Sequence, residues 1–214
     1  STEFTFNKEL GYITLSRKLQ NDEALAVAFE YTYNGQQYKV GELSEDYSNL
    51  RQEEVIFLKM LRPKKVNVKD GRGTIIPTWN LMMKNIYNLN VQGLTRDGFQ
   101  LRVIYRDDRT GIDNPTLQEG TYAKTKQLIE VFGLDRLNPY NDPQPDGNFD
   151  FVDKLTVNAE TGLIIFPYLE PFNQPLRNLF NNKQEAASQR DYLINKYVYD
   201  TLYHTTKAEA ELVA

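Results

Sequence analysis

Through the first sixty residues the apolar positions come as short runs or at every second residue, the period of a pleated strand. Residues 10–15 (LGYITL) predict a short strand, and residues 24–33 (ALAVAFEYTY), apolar at first and then alternating, predict a longer one. Asn34 and Gly35 follow, two residues that tolerate the positive φ of a type I′ hairpin turn. Residues 36–42 (QQYKVGE) are then the return strand, with Tyr38 and Val40 on one face. Residues 55–61 (VIFLKML) are apolar enough to predict a further, buried strand. This half of the chain reads as a β-meander.

The period then lengthens. Leu81, Met82, Asn85, Ile86 and Leu89 recur at spacings of three and four, which predicts a helix over 78–89 with Thr78 as its N-cap after Pro77. Trp79, Met82 and Met83 read as core filler. Residues 99–106 (FQLRVIYR) alternate again and place Phe99, Leu101, Val103 and Tyr105 on one side of a strand. A polar loop over 107–120 leads to a short helix over 123–132, with Leu128, Ile129 and Phe132 inward and Gly133 as its C-cap. Residues 155–157 and 163–166 predict a second hairpin, bent at 158–162 and closed by Pro167 and Pro171. From about 184 to 214 the chain lacks Pro and Gly and reads as helical, with Ile194, Tyr197, Val198, Thr201 and Leu202 on one stripe. This order of elements predicts an α+β fold, predominantly β, with an antiparallel β-sandwich-like core, a few helices and a C-terminal helix. It reads as a single domain over 1–214, with residues 184–214 packing as an appendage.

Composition narrows the function classes. With 14 Tyr and 11 Phe in 214 residues, the chain is heavily aromatic, which favours strands and broad aromatic surfaces. A net charge of −4 speaks against a nucleic-acid groove, which needs a basic face. The absence of cysteine excludes disulfides, thiolate metal sites and cysteine catalysis. No stretch approaches the roughly 20 apolar residues of a membrane-spanning helix. The chain opens without Met and in what reads as a strand approach, which predicts an internal piece of a longer protein.

The densest candidate chemistry is at residues 141–153 (NDPQPDGNFDFVD). Asp142, Gln144, Asp146, Gly147, Asn148, Asp150 and Asp153 fall at positions 1, 3, 5, 6, 7, 9 and 12 of a Ca²⁺ loop. Such a loop takes oxygen ligands from alternate residues, which converge when the segment curls tightly, and a Gly where the backbone turns sharply. Asp142, Gln144, Asp146, Asn148, Asp150 and Asp153 are thus the candidate ligands of a structural Ca²⁺. Gln144 and the short Asp153 depart from the template, and Pro143 and Pro145 stiffen it. The same residues also make an ordinary solvated turn between elements.

Catalytic patterns are weak. His204 is the only histidine, so no zinc pair can form, and neither a G-x-S-x-G elbow nor a Walker loop is present. Gly71-Arg72-Gly73 lacks the third Gly and the following helix of a dinucleotide fingerprint. Nothing selects a carboxylate pair for glycoside hydrolysis from the 29 acids. The chain reads as not an enzyme.

Several segments taken in order resemble the SprA/Sov family, the outer-membrane translocon of type IX secretion and gliding motility. They are NKELGYI at 7–13, DE at 22–23, AVAFEYT at 26–32, YKVGE at 38–42, LKML at 58–61 and WNLMMKNIY at 79–87. LDRLN at 134–138, NDPQPDG at 141–147, IIFP at 164–167 and LEPF at 169–172 continue the set. The resemblance implies a fragment of a very large β-barrel translocon at the outer membrane and cell surface. Its implied partners are the PorV shuttle protein, a plug protein and secreted cargo. The segment has no series of roughly 10-residue lipid-facing strands, so it reads as an extramembrane part that does not itself span the membrane.

Two functions from different classes follow. The first is a non-catalytic structural and interaction domain of a protein-secretion translocon. The alternative is a Ca²⁺-stabilised β-sandwich module that binds glycan or cargo at the cell surface through exposed aromatic rings. A solvent-exposed platform around Trp79 or Tyr87 would favour the second.

Overall fold

The computed structural model describes residues 3–47, 49, 51 and 53–205. It is a mixed α+β fold with small antiparallel sheets, the largest having three strands. A sandwich needs two facing sheets of several strands; among the described residues, two-stranded ribbons and one three-stranded sheet stand in that place. The described residues divide into two compact units, one holding residues 3–5 and 13–82 and the other residues 6–12 and 83–205.

β1 (Phe4–Asn7) and β2 (Tyr12–Leu15) form an N-terminal hairpin. In the first unit, the run expected as one strand over 24–33 breaks at Ala28 into β3 (Leu25–Val27) and β4 (Phe29–Tyr33). The Asn34-Gly35 turn forms as expected, with φ of +50° and +76°, and returns the chain into β5 (Gln36–Val40). β4 and β5 pair in a register that sets Phe29 against Val40, Tyr31 against Tyr38 and Tyr33 against Gln36. β3 pairs instead with β6 (Lys59–Arg62).

The expected helix over 78–89 is replaced by a single turn, α1 (Pro77–Asn80), followed by a strand, β7 (Ile86–Asn88). The helical spacing of Leu81, Met82, Asn85 and Ile86 yields to pairing: Ile86, Tyr87 and Asn88 lie opposite Ile165, Ile164 and Leu163. Leu81 and Met82 are left exposed, so of the three residues assigned to the core Trp79 is the buried one.

The second unit is built on that pairing. β8 (Tyr105–Arg106) and β9 (Asp113–Asn114) make a short ribbon closed by the two-pronged Arg106–Asp113 ion pair. The alternation over 99–106 survives without a ladder along most of its length: Phe99, Leu101, Val103 and Tyr105 pack on the core while Arg102 and Arg106 face water. The helix expected over 123–132 divides into a 3-10 turn (Ala123–Thr125) and α2 (Leu128–Val131). Leu128, Ile129 and Phe132 point inward as expected, and Gly133 ends the turn at φ +72°. β10 (Val157–Asn158) and β11 (Leu163–Ile165) form the second hairpin and extend through β11 to β7. Its Gly162, at φ +68°, cannot carry a side chain, because a Cβ would lie 1.8 Å from the Val91 carbonyl oxygen.

An element absent from the sequence reading follows, α3 (Gln174–Phe180), which buries Leu176, Leu179 and Phe180. Pro175 sits in its first turn, where a missing N–H costs nothing. The long terminal helix is shorter than expected: α4 (Arg190–Tyr197) ends at Val198, and a 3-10 turn (Asp200–Tyr203) follows. Leu193 and Tyr197 are buried but Leu202 is exposed; residues 206–214 of the expected helix lie outside the described residues. The core joins α2, α3, α4, β10 and β11, and edge-to-face contacts of Phe132, Phe166 and Phe172 knit it together.

Candidate interaction surface

The first unit leaves many of its apolar residues exposed, and others, such as Leu25, Val27, Val40, Leu61, Ile75 and Ile76, only half-buried. Among its described residues only Val68 and Trp79 are buried apolar side chains. On β4 and β5, alternation puts Phe29, Tyr31, Tyr33 and Tyr38 on one face and Glu30, Thr32, Gln37 and Lys39 on the other. The aromatic face is uncovered: Phe29, Tyr31, Tyr33 and Tyr38 are 44%, 46%, 63% and 36% exposed. Tyr31 and Tyr38 stack at 5.1 Å between centroids and 14° between planes, and Phe29 leans on Tyr31 at 6.1 Å. The polar face is internally satisfied, with Gln37 Nε2 donating to Glu30 Oε2 at 2.9 Å and Lys39 paired to Asp46.

The run over 55–61, expected to be a buried strand, is corrected by the structure. Val55, Ile56, Phe57, Leu58 and Met60 are all exposed, and strand geometry begins only at Lys59. Its position is nevertheless specified. The Glu42 amide donates to the Phe57 carbonyl and the Phe57 amide donates to the Glu42 carboxylate, both at 2.8 Å. Gly41, at φ +74°, lets this strap close in, since a Cβ there would press on Ala28 and on the Phe57 carbonyl oxygen, each at 3.1 Å. The apolar run is therefore tied to the base of the aromatic hairpin. Exposed apolar surface on this scale marks interaction sites in soluble domains.

The acidic loop of the second unit is organised differently from a convergent cation cage. Asp142 Oδ2 accepts from Asn138 Nδ2 at 3.1 Å, and the Gln144 amide donates to the Asp142 carbonyl. Asp146 Oδ1 accepts from the Asn148 amide at 2.9 Å. Asp150 Oδ2 takes the amides of Arg136 and Leu137, and Asp153 Oδ1 takes that of Ala159. Asp146 thus serves its own turn while Asp150 and Asp153 tie the loop to neighbouring segments, and among the described residues no three acidic or histidine side chains are grouped to hold a metal ion. The organiser is Asp135, which the sequence reading did not single out. It is 1% exposed and its two oxygens accept the amides of Asp146 and Gly147 at 3.0 and 2.8 Å. Burial pushes its carboxyl above the ordinary range; the two amides oppose the shift, and the Asp146 and Asp150 charges add to it.

A second buried carboxylate, Glu185, closes the start of the 3-10 turn at 123–125. Its oxygens accept the amides of Thr121, Tyr122 and Ala123 at 2.6, 2.9 and 2.9 Å. Burial works to raise its pKa, but the amides of Thr121, Ala123, Tyr122 and Ala186 outweigh burial and hold it below the ordinary range. Each is an acid that the fold brings against a turn whose amides need acceptors, at positions 11 to 64 residues away. Nothing local in the sequence separates them from the other 27 acids.

Beside Glu185 lies an open polar cleft of about 440 Å³, lined by Gln118, Glu119, Thr121, Lys124, Gln189 and Tyr192. Lys196 Nζ holds Glu119 Oε1 at 2.5 Å. The pair is salt-bridged and each side chain is about 30% exposed, so it ties the surface together rather than forming a buried charge site. Trp79 is buried, whereas the ring of Tyr87 is 38% exposed and meets Phe166 and Phe172 edge-on. No protein-family model matches the chain, and no curated protein matches it.

Proposed function

We propose that this chain is a non-catalytic structural and interaction domain of an outer-membrane protein-secretion translocon of the SprA/Sov kind. In this reading it is an extramembrane part at the outer membrane and cell surface, serving type IX secretion and gliding motility. The ordered resemblance of the segments supports the translocon, and the uncovered aromatic hairpin with its strapped apolar run supports an interaction role. The hairpin face is the observation that carries the reading, because a domain with no partner has no use for four uncovered rings beside five exposed aliphatic and aromatic residues. Among the described residues no helix is long and apolar enough to cross a membrane. The partners are the PorV-type shuttle, the plug protein or cargo in transit.

A photo-crosslinking amino acid at Phe57 or Tyr33, in cells that secrete by this route, tests the reading. The expected result is a crosslink to a secretion component or cargo that disappears when the probe is moved to exposed Tyr140 of the second unit. Equal crosslinking from all three positions, or none from the first two, would remove it.

The glycan-binding alternative draws on one observation, the parallel stack of Tyr31 on Tyr38, which offers a flat ring face to a sugar. Saturable quenching of tyrosine fluorescence by oligosaccharides, abolished in Tyr31→Ala, would favour it over the translocon reading.

A further inference from the structure

We infer that the outer edge of β4 pairs with the same edge of a second copy of this chain. This rests on the reading of the hairpin as an interaction surface and assigns its edge a particular occupant. In a hairpin closed by a two-residue type I′ turn, the residues flanking the turn form a hydrogen-bonded pair, and such pairs then alternate. Tyr33, Tyr31 and Phe29 consequently spend their backbone groups on Gln36, Tyr38 and Val40. The N–H and C=O groups of Glu30 and Thr32 point away from β5, and among the described residues no strand adjoins that edge of β4. An open edge beside an aromatic face is a template for another strand.

The sequence of β4, Phe-Glu-Tyr-Thr-Tyr, is close to a chemical palindrome. Antiparallel pairing about Tyr31 sets Glu30 against Thr32 of the second copy and Thr32 against its Glu30. All outward groups of both residues are then satisfied in one register. In that register Tyr31 faces Tyr31 at the closer, non-hydrogen-bonded spacing, and each Phe29 faces a Tyr33. Three ring pairs line one side of the new four-stranded sheet, and the other side carries no like-charge pair. Recentring on Glu30 sets two carboxylates directly opposite each other, and recentring on Thr32 runs Glu30 into Asn34 of the turn. The β5 edge offers a poorer match, since pairing about Tyr38 sets Gln36 against Val40 and supplies only one ring pair. Charge and ring placement therefore select one edge and one register.

Sedimentation equilibrium over low micromolar to near-millimolar protein, with residue-resolved hydrogen exchange, tests the pairing. The expected result is a reversible monomer–dimer equilibrium in which the Glu30 and Thr32 amides gain protection as concentration rises and those of Gln37 and Lys39 do not. Thr32→Pro removes an outward N–H that the hairpin does not use, so it should leave the far-UV spectrum unchanged and abolish the dimer. Gln37→Pro, on the other edge, should leave the dimer intact. Should Thr32→Pro unfold the hairpin, Tyr31→Lys replaces the central ring pair by two facing ammonium groups and should weaken association at least tenfold. A chain that stays monomeric throughout, or a dimer lost on Gln37→Pro but kept on Thr32→Pro, overturns the proposal. A monomer that still crosslinks to a secretion component from Phe57 would overturn the pairing alone and leave the interaction reading standing.

Discussion

Phe180 in the second unit is completely buried, whereas Phe57 in the first is 67% exposed. Phe57 sits in the apolar run VIFLKML, whereas Phe180 is flanked by Arg177, Asn178, Asn181, Asn182 and Lys183, so a hydropathy count would bury the wrong one. What separates them is the availability of opposing apolar elements. The second unit has α2, α3, α4 and a three-stranded sheet to enclose Phe180, Leu134 and Val157. Among its described residues the first has two ribbons and one helical turn, too little to cover both faces of a hairpin. The contrast teaches that burying a core and presenting a surface are alternative uses of the same residues, decided by what the rest of the chain can place opposite them.

The largest expected effect tests that contrast directly. Phe180→Ala should destabilise the second unit by about 3–5 kcal/mol through loss of buried area and the cavity left behind. Phe57→Ala should change stability by no more than about 0.5 kcal/mol, as exposed substitutions do. Urea denaturation followed by near-UV circular dichroism measures both. A cost at Phe57 comparable with that at Phe180 would mean that the first unit buries its apolar run after all.

Next in size is Glu185→Ala, which strands the amides of Thr121, Tyr122 and Ala123 and the more weakly held one of Ala186, four in all, at roughly 1–3 kcal/mol for each that is buried. A total loss of about 3 kcal/mol is expected, and Glu185→Gln should lose less because one carbonyl oxygen remains. Equal losses for the two variants would show that charge rather than hydrogen bonding holds the turn.

Within the acidic loop the order of effects should follow burial rather than the Ca²⁺ template. Asp135→Ala is expected to cost roughly 2 kcal/mol by stranding the amides of Asp146 and Gly147, and Asp146→Ala about 0.5 kcal/mol for one exposed turn. Melting curves in calcium and in chelator should give the same difference. A loss at Asp146 confined to calcium would show instead that the loop converges on a cation.

The smallest effect is a signed pH dependence. Glu185 lies below its ordinary value of 4.5, so its contribution is complete above that value and is lost as pH falls through the folded pKa. Asp135 lies above its ordinary 3.8, so the folded state holds that proton more tightly and stability falls as pH rises between the two values. Denaturation midpoints against pH should therefore show a shallower acid limb in Glu185→Gln, since Glu23, Asp46, Asp107, Asp113 and Glu119 also titrate below their ordinary values, and a shallower falling limb in Asp135→Asn. Unchanged profiles in both variants would place the titration elsewhere.

Much of the local structure was legible in the chain. The Asn34-Gly35 hairpin, the Gly133 stop, the 157–165 hairpin and the in–out alternation from Phe99 to Tyr105 all follow from backbone preference and period. The failures share a cause. Spacings of three and four at Leu81 to Leu89 fit a helix, but Ile86 to Asn88 also fit the open edge of β11, and cross-strand pairing prevailed. The run at 55–61 carries a clear hydropathy signal that says nothing of whether an opposing surface exists. α3 has a weak local signal, with few apolar positions among Arg177, Asn178, Asn181 and Asn182, and Pro175, which ends helices elsewhere, is compatible with one in its first turn.

The sequence by itself determined where the chain turns, which residues share a face, and the α+β class, because these rest on φ preferences and side-chain periods acting over a few residues. Only the tertiary structure decided that Asp135 and Glu185, among 29 acids, are the buried organisers, and that the rings of β4 and β5 face water. Both outcomes depend on residues distant in sequence: Glu185 meets amides more than sixty positions away, and a hairpin face stays open only when nothing elsewhere in its unit covers it.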